Sequence, residues 1–268
     1  MIRLQKTIKS VIFTPMITIN LIGTGNIAWH LANHFAKASG CKLKQIAGRS
    51  KDRLTDFGSL TQQLVTIKEL RPATITIIAV SDKAIKDVAS QLPYQDTLVV
   101  HTSGSMAMDV IPQHRKGVFY PLQSFSKNDH VDFTQIPICI EASNAEDLQL
   151  LQDLATLLSI KIHTIDSHQR KQAHLAAVFV NNFTNHCYTI AQELCKKEAI
   201  PFELLYALLK KTAQKAIDHS PSDVQTGPAK RNDIEVIKDH LEMLQEEDHK
   251  SIYKTLTASI IAHYGKKL

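Results

Sequence analysis

A glycine-rich segment, Gly23-Thr24-Gly25-Asn26-Ile27-Ala28, follows a β-branched run at residues 17–22 and opens an apolar helical pattern. This strand–loop–helix context is what gives the G-x-G-x-x-A spacing its meaning as a dinucleotide-binding pattern. The first glycine would permit the tight turn, the second would let a pyrophosphate approach the backbone, and the alanine would let the helix pack on the sheet. Free amides at the helix N-terminus would bind the phosphates. We therefore expect Gly23, Thr24, Gly25, Asn26 and Ile27 to contact a dinucleotide; the alternative is a glycine-rich turn without a ligand.

The residues that follow the second predicted strand bear on which dinucleotide binds. NAD sites usually place Asp or Glu there for the ribose 2′-hydroxyl, whereas NADP sites place an Arg near the 2′-phosphate. This chain reads Gly48-Arg49-Ser50-Lys51, with no carboxylate before Asp52. A guanidinium and a hydroxyl suit a phosphate, so Arg49 and Ser50, with Lys51 in support, predict NADP rather than NAD. The alternative is that Arg49 is an ordinary surface residue and the selectivity is loose.

Two further loops follow predicted strands at the sheet edge where ligands bind in open α/β folds. In the first, Val80 and Ser81 should line the cofactor, and Asp82 is expected to cap the helix that follows. The second loop is His101-Thr102-Ser103-Gly104-Ser105. There we expect Thr102 to contact the cofactor and Ser103 and Gly104 to lie near the nicotinamide and the substrate. The alternative for this second loop is a simple Ser/Gly turn.

A polar stripe runs along the helical pattern of residues 168–198. At 3.6 residues per turn, His174, Asn181 and Asn185 share one face, and Asn182 and His186 lie beside it. Buried polar groups need partners, and a substrate cleft would supply them. Because imidazole titrates near neutral pH, His174 is predicted to be the acid or the substrate anchor. Asn181 and Asn182 would orient a carbonyl, imine or carboxylate. The alternatives are bonds to neighbouring backbone or plain solvent exposure.

A cationic loop, Thr226-Gly-Pro-Ala-Lys-Arg-Asn-Asp233, lies between helical patterns. Arg231, with Lys230, could bind a substrate carboxylate or phosphate, since a guanidinium makes a bidentate contact. The alternative is a structural salt bridge or a dimer contact. Asp233 is placed to cap the next helix.

Strand and helix patterns alternate in the first part of the chain, which favours an α/β fold with a doubly wound parallel Rossmann sheet. After residue 166 only helical periodicity remains, so an all-α domain is expected to follow. The predicted organisation is an N-terminal extension at 1–15, a nucleotide-binding domain at 16–165 and a helical domain at 166–268. The predicted strands are 17–22, 43–47, 75–80, 97–101, 118–119, 136–140 and 161–164, and the helices are 26–39, 83–91, 147–158, 168–198, 203–219 and 234–264.

Composition excludes several other classes of protein. The 268 residues carry a formal charge of +5 without a basic tract, so nucleic acid is not an expected partner. No apolar stretch approaches the ~18 residues of a membrane span. The four cysteines form no C-x-x-C pair, which predicts reduced thiols in a cytoplasmic protein. The thirteen histidines show no metal-ligand spacing, so no metal is expected.

These features resemble the β-hydroxyacid dehydrogenase and pyrroline-5-carboxylate reductase superfamily, and more closely a bacterial family described as NADP oxidoreductases with a C-terminal domain of unknown function. The resemblance covers the chain after residue 16, through the segments 23–28, 99–105, 119–125, 174–186 and 226–233. It implies a Rossmann domain followed by a helical, usually dimerising, domain. Two departures matter: the superfamily's general-acid lysine is replaced by Ala177 or Val178, and Tyr120 takes a place where histidine is common.

Together, the residues and the resemblance predict an NADP-dependent oxidoreductase. It would transfer a hydride between the nicotinamide and a small polar substrate, either a keto or hydroxy acid or an imine, with Tyr120 among the substrate contacts. A homodimer through the C-terminal helices is expected. Because the lysine is absent and a fold does not fix a function, the alternative is a non-catalytic nucleotide sensor or partner-binding protein.

Overall fold

The structure is a computed structural model that describes residues 16–49, 51–61 and 63–264, without the side chains of Lys51 and Arg53. The N-terminal extension predicted at residues 1–15 lies outside this part of the chain. The described chain divides into two compact units, the first ending at Asn181 and the second beginning at Asn182. The domain boundary predicted between residues 165 and 166 stays a prediction; Asp166 is the N-cap of the helix Ser167–Ala177, which lies in the first unit.

The first unit is built on one eight-stranded sheet with the order β3-β2-β1-β4-β5-β6-β7-β8. The first six positions are parallel, which confirms the predicted α/β Rossmann fold. The strands are β1 Ile17–Ile22, β2 Cys41–Gly48, β3 Leu64–Thr66, β4 Ile75–Ile78, β5 Leu98–His101, β6 Lys116–Pro121, β7 Ile138–Ala142 and β8 Ile162–Thr164.

The predicted parallel sheet has one antiparallel pair, which β6 and β7 form. A parallel pair needs a crossover connection that is usually an α-helix. Between Pro121 and Ile138 the chain forms only a 3-10 turn at Phe133–Gln135, so it returns in the opposite direction. The strand pattern also missed β3, which has only three residues and therefore no readable alternation.

Helices cover both faces of the sheet, as the doubly wound prediction requires. Alternate side chains of β4 and β5 enter two separate apolar clusters. Ile77 packs with Leu31 and Leu154 on one face, while Ile78 packs with Val88 on the other. This burial on both faces explains why these strands are continuous apolar runs in the sequence. The helices of this unit are α1 Asn26–Phe35, α2 Ile85–Ser90, α3 Ala145–Thr156 and α4 Ser167–Ala177.

The predicted N-cap at Asp82 is wrong. A 3-10 turn, Asp82–Ala84, precedes α2, and Ser81 is the residue before that turn. The Asp82 carboxylate instead accepts a hydrogen bond of 2.5 Å from the Ser105 hydroxyl. Asp82 does lie near the start of a helix, but its carboxylate binds the Ser105 side chain instead of a helix amide.

The second unit is helical, and strands of the described chain end at Thr164 as predicted. The single helix predicted at 234–264 is wrong, because α9 ends at Met243 and α10 begins at Glu247. Leu244 leaves the helical region with ψ 126° and buries its side chain, which interrupts the periodic pattern. The predicted cap at Asp233 is confirmed, since its carboxylate accepts from the Val236 amide. The helices are α5 Thr184–Lys197, α6 Tyr206–Asp218, α7 Pro221–Val224, α8 Pro228–Arg231, α9 Ile234–Met243 and α10 Glu247–Tyr264.

None of the described helices has the length and hydropathy that crossing a bilayer requires.

Candidate functional site

The turn between β1 and α1, from Gly23 to Asn26, forms a concave surface that we call the cradle. Its backbone shape requires glycine. Gly23 has φ +138°, and a Cβ there would lie 2.0 Å from the Ala79 carbonyl oxygen, so this residue must be glycine. A Cβ on Gly25 would meet nothing within 4 Å and would project into open space. Ala28 is fully buried beneath the turn. An open volume in front of the first helical amides is what a pyrophosphate needs, so these residues fit a dinucleotide.

Arg49 lies beside this cradle. β1 and β2 are paired up to Ile22 and Ala47, so their ends reach the same edge of the sheet. A Cβ on Gly48 would lie 3.4 Å from a methyl carbon of Thr24, which shows how closely the two turns approach. Arg49 follows directly and is exposed, as a 2′-phosphate ligand must be. Ser50 and the Lys51 side chain lie outside the described residues.

The next two loops meet at the same edge. Ile78 of β4 pairs with His101 of β5, and the Thr102 amide donates to the Ile78 carbonyl at 3.2 Å. Val80 and Thr102 are half-buried and Ser81 is exposed, so all three are open to a ligand. The structure thus brings the predicted cofactor residues of three separate loops together along one edge of one sheet.

His101 organises the loop that follows β5. Its side chain is fully buried, its Nδ1 accepts from the Ser103 amide at 3.1 Å, and its Nε2 donates to the Ala107 carbonyl at 3.3 Å. This pattern needs one acceptor and one donor, which only the neutral ring offers. Burial, reinforced by the positive charge of Arg170, lowers the pKa of His101 to about 4, so the ring is neutral at pH 7.

The Ser103 hydroxyl is committed to the same loop. Its Oγ accepts from the amides of Ser105 at 3.1 Å and Met106 at 3.0 Å, and the residue is only 7% exposed. Side chain–backbone bonds of this kind fix a turn locally. The catalytic and substrate roles predicted for Ser103 remain predictions, whereas the structure gives its hydroxyl a role in shaping the turn around Gly104.

Tyr120 and His174 meet beside this turn. The Tyr120 Oη lies 3.2 Å from Nδ1 of His174. A Cβ on Gly104 would lie 2.8 Å from both His174 Nδ1 and Tyr120 Cζ, so glycine is what leaves room for the pair. Burial raises the pKa of Tyr120 to about 12, which keeps the phenol protonated at neutral pH. The phenol therefore donates to Nδ1, and a neutral His174 then carries its own proton on Nε2.

Arg170 is a residue that the sequence reasoning missed. It is 1% exposed, pairs with the Glu141 carboxylate, and donates from Nη2 to the Met106 carbonyl at 2.6 Å. Glu141 also accepts from the Ser167 amide at 3.0 Å. These bonds tie α4, which carries His174, to β7 and to the loop after β5. Arg170 lies four residues before His174, and residues i and i+4 share one helix face. That spacing was the signal in the sequence that could have placed Arg170 near the site.

The two asparagines predicted to orient the substrate follow α4 in the chain. Asn181 and Asn182 are exposed and belong to a π-helical turn, Val178–Phe183. The 3.6-residue spacing that placed Asn181 and Asn185 on the His174 face does not continue through such a turn. π-Turns are frequent at functional sites, so the roles of both asparagines remain open as predictions.

The cationic loop of the second unit is partly used by the unit itself. Lys230 Nζ donates to the Gln225 carbonyl at 2.8 Å and lies 5.5 Å from the centre of the Tyr264 ring. Arg231 is exposed, with Nη2 3.8 Å from the Asp233 carboxylate. This long, exposed ion pair leaves the guanidinium accessible, so substrate binding by Arg231 remains a prediction.

Among the described residues, no group of three or more His, Cys, Asp or Glu side chains could hold a metal ion. The expectation of a metal-free site remains a prediction.

The strand order 3-2-1-4-5-6 and the glycine cradle at its carboxyl edge define a Rossmann-type dinucleotide-binding protein. The chain is 38% identical to a protein from Bacteroides fragilis described as a putative NADP oxidoreductase, with 91% of this chain and 97% of that chain covered and a TM-score of 0.81. At that identity and coverage, the chain belongs to the same family of NADP oxidoreductases. Residues 136–260 match the family model "Domain of unknown function (DUF2520)".

More distant structures share the fold. A protein from Thermotoga maritima is 22% identical over 93% of this chain and 99% of its own, with a TM-score of 0.72. A reductive aminase from Aspergillus terreus, in complex with NADPH and ethyl levulinate, is 13% identical over 93% and 95%, with a TM-score of 0.68. Among curated proteins, none matches the sequence.

Proposed function

We propose that this protein is an NADP-dependent oxidoreductase that uses the Tyr120–His174 pair to move a proton to or from a small polar substrate. The substrate class is a keto or hydroxy acid or an imine. The observation that carries the proposal is that this half-buried pair lies on the same structural unit as the cradle, beside a loop whose turn accommodates it. The family membership supports the same reaction class.

The cofactor would be held by the first-turn amides of α1 at Gly25 and Asn26, with Arg49 on the 2′-phosphate. When bound, the nicotinamide ring would supply or accept the hydride. A phosphate at Arg49 would gain charge-assisted hydrogen bonds that a ribose hydroxyl cannot offer to the same degree. NADP is therefore the proposed cofactor.

His174 would hold the proton that the missing lysine supplies in related enzymes. With Nδ1 fixed by the Tyr120 phenol, Nε2–H is the donor that remains available to a substrate carbonyl or imine nitrogen. As Nε2–H is given up, Nδ1 takes the phenol proton of Tyr120, so that the imidazole stays neutral, and the Tyr120 oxygen then recovers a proton from solvent. Asn181, Asn182, Gly104 and Arg231 are proposed to orient the substrate.

A homodimer through the helical unit is proposed as well. Of the described residues after Asn181, only Ala229, Ile237 and Leu244 are buried apolar side chains. A unit with so small a core needs a partner surface to be stable. Large apolar side chains such as Ile217 and Leu204 are 78% and 71% exposed, which fits burial against a second copy. Sedimentation velocity should show a dimer at micromolar concentration, and a monomer would contradict this part of the proposal.

The test is a search for turnover with a matched variant. Loss of NADPH absorbance is followed with a panel of keto acids, aldehydes and imines, each with and without ammonia or a primary amine, for the wild type and for His174→Gln. Turnover by the wild type and loss of at least ~100-fold in kcat for the variant would support the proposal. A wild type that binds NADPH tightly but turns over no substrate would favour the sensor alternative, which no observation now favours.

We also propose a cytoplasmic location, because the four cysteines are free thiols, as is usual in reducing compartments.

A further inference from the structure

Three consecutive residues after β6 are held against α1. The Asn26 side-chain amide donates to the Phe125 carbonyl at 2.7 Å, and His30 Nε2 donates to the Ser126 carbonyl at 2.8 Å. Asn26 and His30 are four residues apart, so both point from one face of the helix. Next in the chain, Lys127 places its Nζ 5.0 Å from the centre of the Trp29 ring. We call residues 122–127 the β6 strap.

Further contacts fix both ends of this strap. The Phe125 ring lies 5.3 Å from the His30 ring, and Lys127 forms an ion pair of 2.5 Å with Asp56. At the other end, the Leu122 amide donates to the Pro137 carbonyl at 2.8 Å. The strap follows β6 directly, and β6 carries Tyr120 two residues before Leu122. Its position therefore bears on where the Tyr120 phenol lies.

Asn26 has two separate functions in this arrangement. Its backbone belongs to the first turn of α1, where free amides face the cradle. Its side chain does not face the cradle, because the amide is bonded to the strap. A ligand that orders the first turn of α1 would therefore also hold the strap, and through it the strand end that carries Tyr120.

We propose that Asn26 is a positioning residue that couples occupancy of the phosphate cradle to the placement of the β6 strap and of Tyr120. This inference rests on the proposed function, since it assumes that a dinucleotide fills the cradle. It assigns the Asn26 side chain to the strap rather than to the phosphates. Binding of the cofactor thus completes the Tyr120–His174 site instead of merely adjoining it.

The test compares Asn26→Ala with Asn33→Ala, which is a matched control on the same helix. The Asn33 amide donates to the Trp29 carbonyl, within its own helix. Binding of NADPH is measured through the fluorescence of Trp29, the one tryptophan of the chain. Hydrogen–deuterium exchange of peptides covering residues 119–127 is then measured with and without saturating NADPH.

In the wild type and in Asn33→Ala, we expect NADPH to slow amide exchange in the strap. In Asn26→Ala that protection should be lost, while the dissociation constant of NADPH rises by less than about threefold. With a substrate in hand, kcat should fall roughly tenfold and KM for NADPH should change little.

Three results would overturn the inference. If NADPH slowed amide exchange in the strap equally in Asn26→Ala and in the wild type, the Asn26 side chain would not couple the cradle to the strap. Absence of NADPH-dependent protection in a wild type that binds NADPH would show that the strap does not respond to the cradle. A wild type that binds no NADPH would overturn the proposed function as well, which separates that failure from the other two.

Discussion

Tyr120 and His174 are 54 residues apart in the chain, yet the phenol oxygen of one lies 3.2 Å from Nδ1 of the other. Neither residue alone signals a catalytic pair, because tyrosine is ordinarily a weak acid and a neutral histidine can carry its proton on either ring nitrogen. The contact between the two side chains fixes where each of them carries its proton. The raised pKa of the half-buried Tyr120 phenol keeps its proton in place at neutral pH, and that proton selects the tautomer of the imidazole.

This relationship makes Tyr120→Phe informative. The variant keeps the ring and its packing but removes the hydroxyl that is bonded to Nδ1 of His174. We expect kcat to fall roughly tenfold, less than for His174→Gln, with NADPH affinity unchanged. Steady-state kinetics and a fluorescence titration measure the two effects. A variant with wild-type kcat would show that His174 needs no partner.

Two glycine substitutions should have opposite consequences. Gly25→Ala places a methyl in open space, so folding should be unaffected, but the pyrophosphate would lose its close approach and NADPH affinity should fall at least roughly tenfold. Gly104→Ala places its methyl 2.8 Å from both His174 and Tyr120 and should cost about 1–3 kcal/mol of stability.

Thermal unfolding and NADPH titration separate the two variants. Gly104→Ala should melt earlier and lose turnover while it still binds NADPH. Gly25→Ala should melt like the wild type without ligand, and the same concentration of NADPH should raise its melting temperature less than that of the wild type. The reverse assignment of these two phenotypes would contradict the placement of the cradle and the pair.

Much of the first unit could be predicted from the sequence because its signals are local. β1, the glycine turn and α1 follow one another within twenty residues, and strands such as Ile75–Ile78 are apolar because both of their faces are buried. The Asp82 cap failed for the opposite reason. Its partner, Ser105, comes from another loop, and no local rule brings the two together.

The site itself was harder to predict than the fold. Arg170 looks like an ordinary surface residue of an amphipathic helix, and only tertiary packing makes it one of the most buried side chains. The π turn at Val178–Phe183 changed the helical spacing on which the asparagine stripe depended. Tyr120 and His174 were each singled out in the sequence, but their contact is a property of the folded chain.

Cofactor selectivity is tested by Arg49→Ala. Loss of a charge-assisted contact to the 2′-phosphate should weaken NADP(H) binding by roughly 10- to 100-fold, while NAD(H) binding should change by less than about twofold. Lys42→Ala is a suitable control, since Lys42 is an exposed cation near the opposite end of the same strand. Calorimetric titration of all four nucleotides provides the measurement. Equal losses for NADP and NAD would remove Arg49 from 2′-phosphate recognition.

His101 should make the stability of the protein depend on pH. Its pKa is about 4 in the fold and about 6.5 in an unfolded chain, so the unfolded state takes up a proton first as the pH falls. The stabilising contribution is complete above pH 6.5 and is lost progressively towards pH 4, to a total of about 3 kcal/mol.

His101→Asn tests this linkage, because an amide oxygen can accept from the Ser103 amide as Nδ1 does but does not titrate. The variant should be less stable than the wild type at pH 7, and the difference should shrink by about 2 kcal/mol at pH 5. Urea unfolding at the two pH values gives both free energies. A difference that stays constant between pH 7 and pH 5 would mean that His101 is not held neutral by the fold.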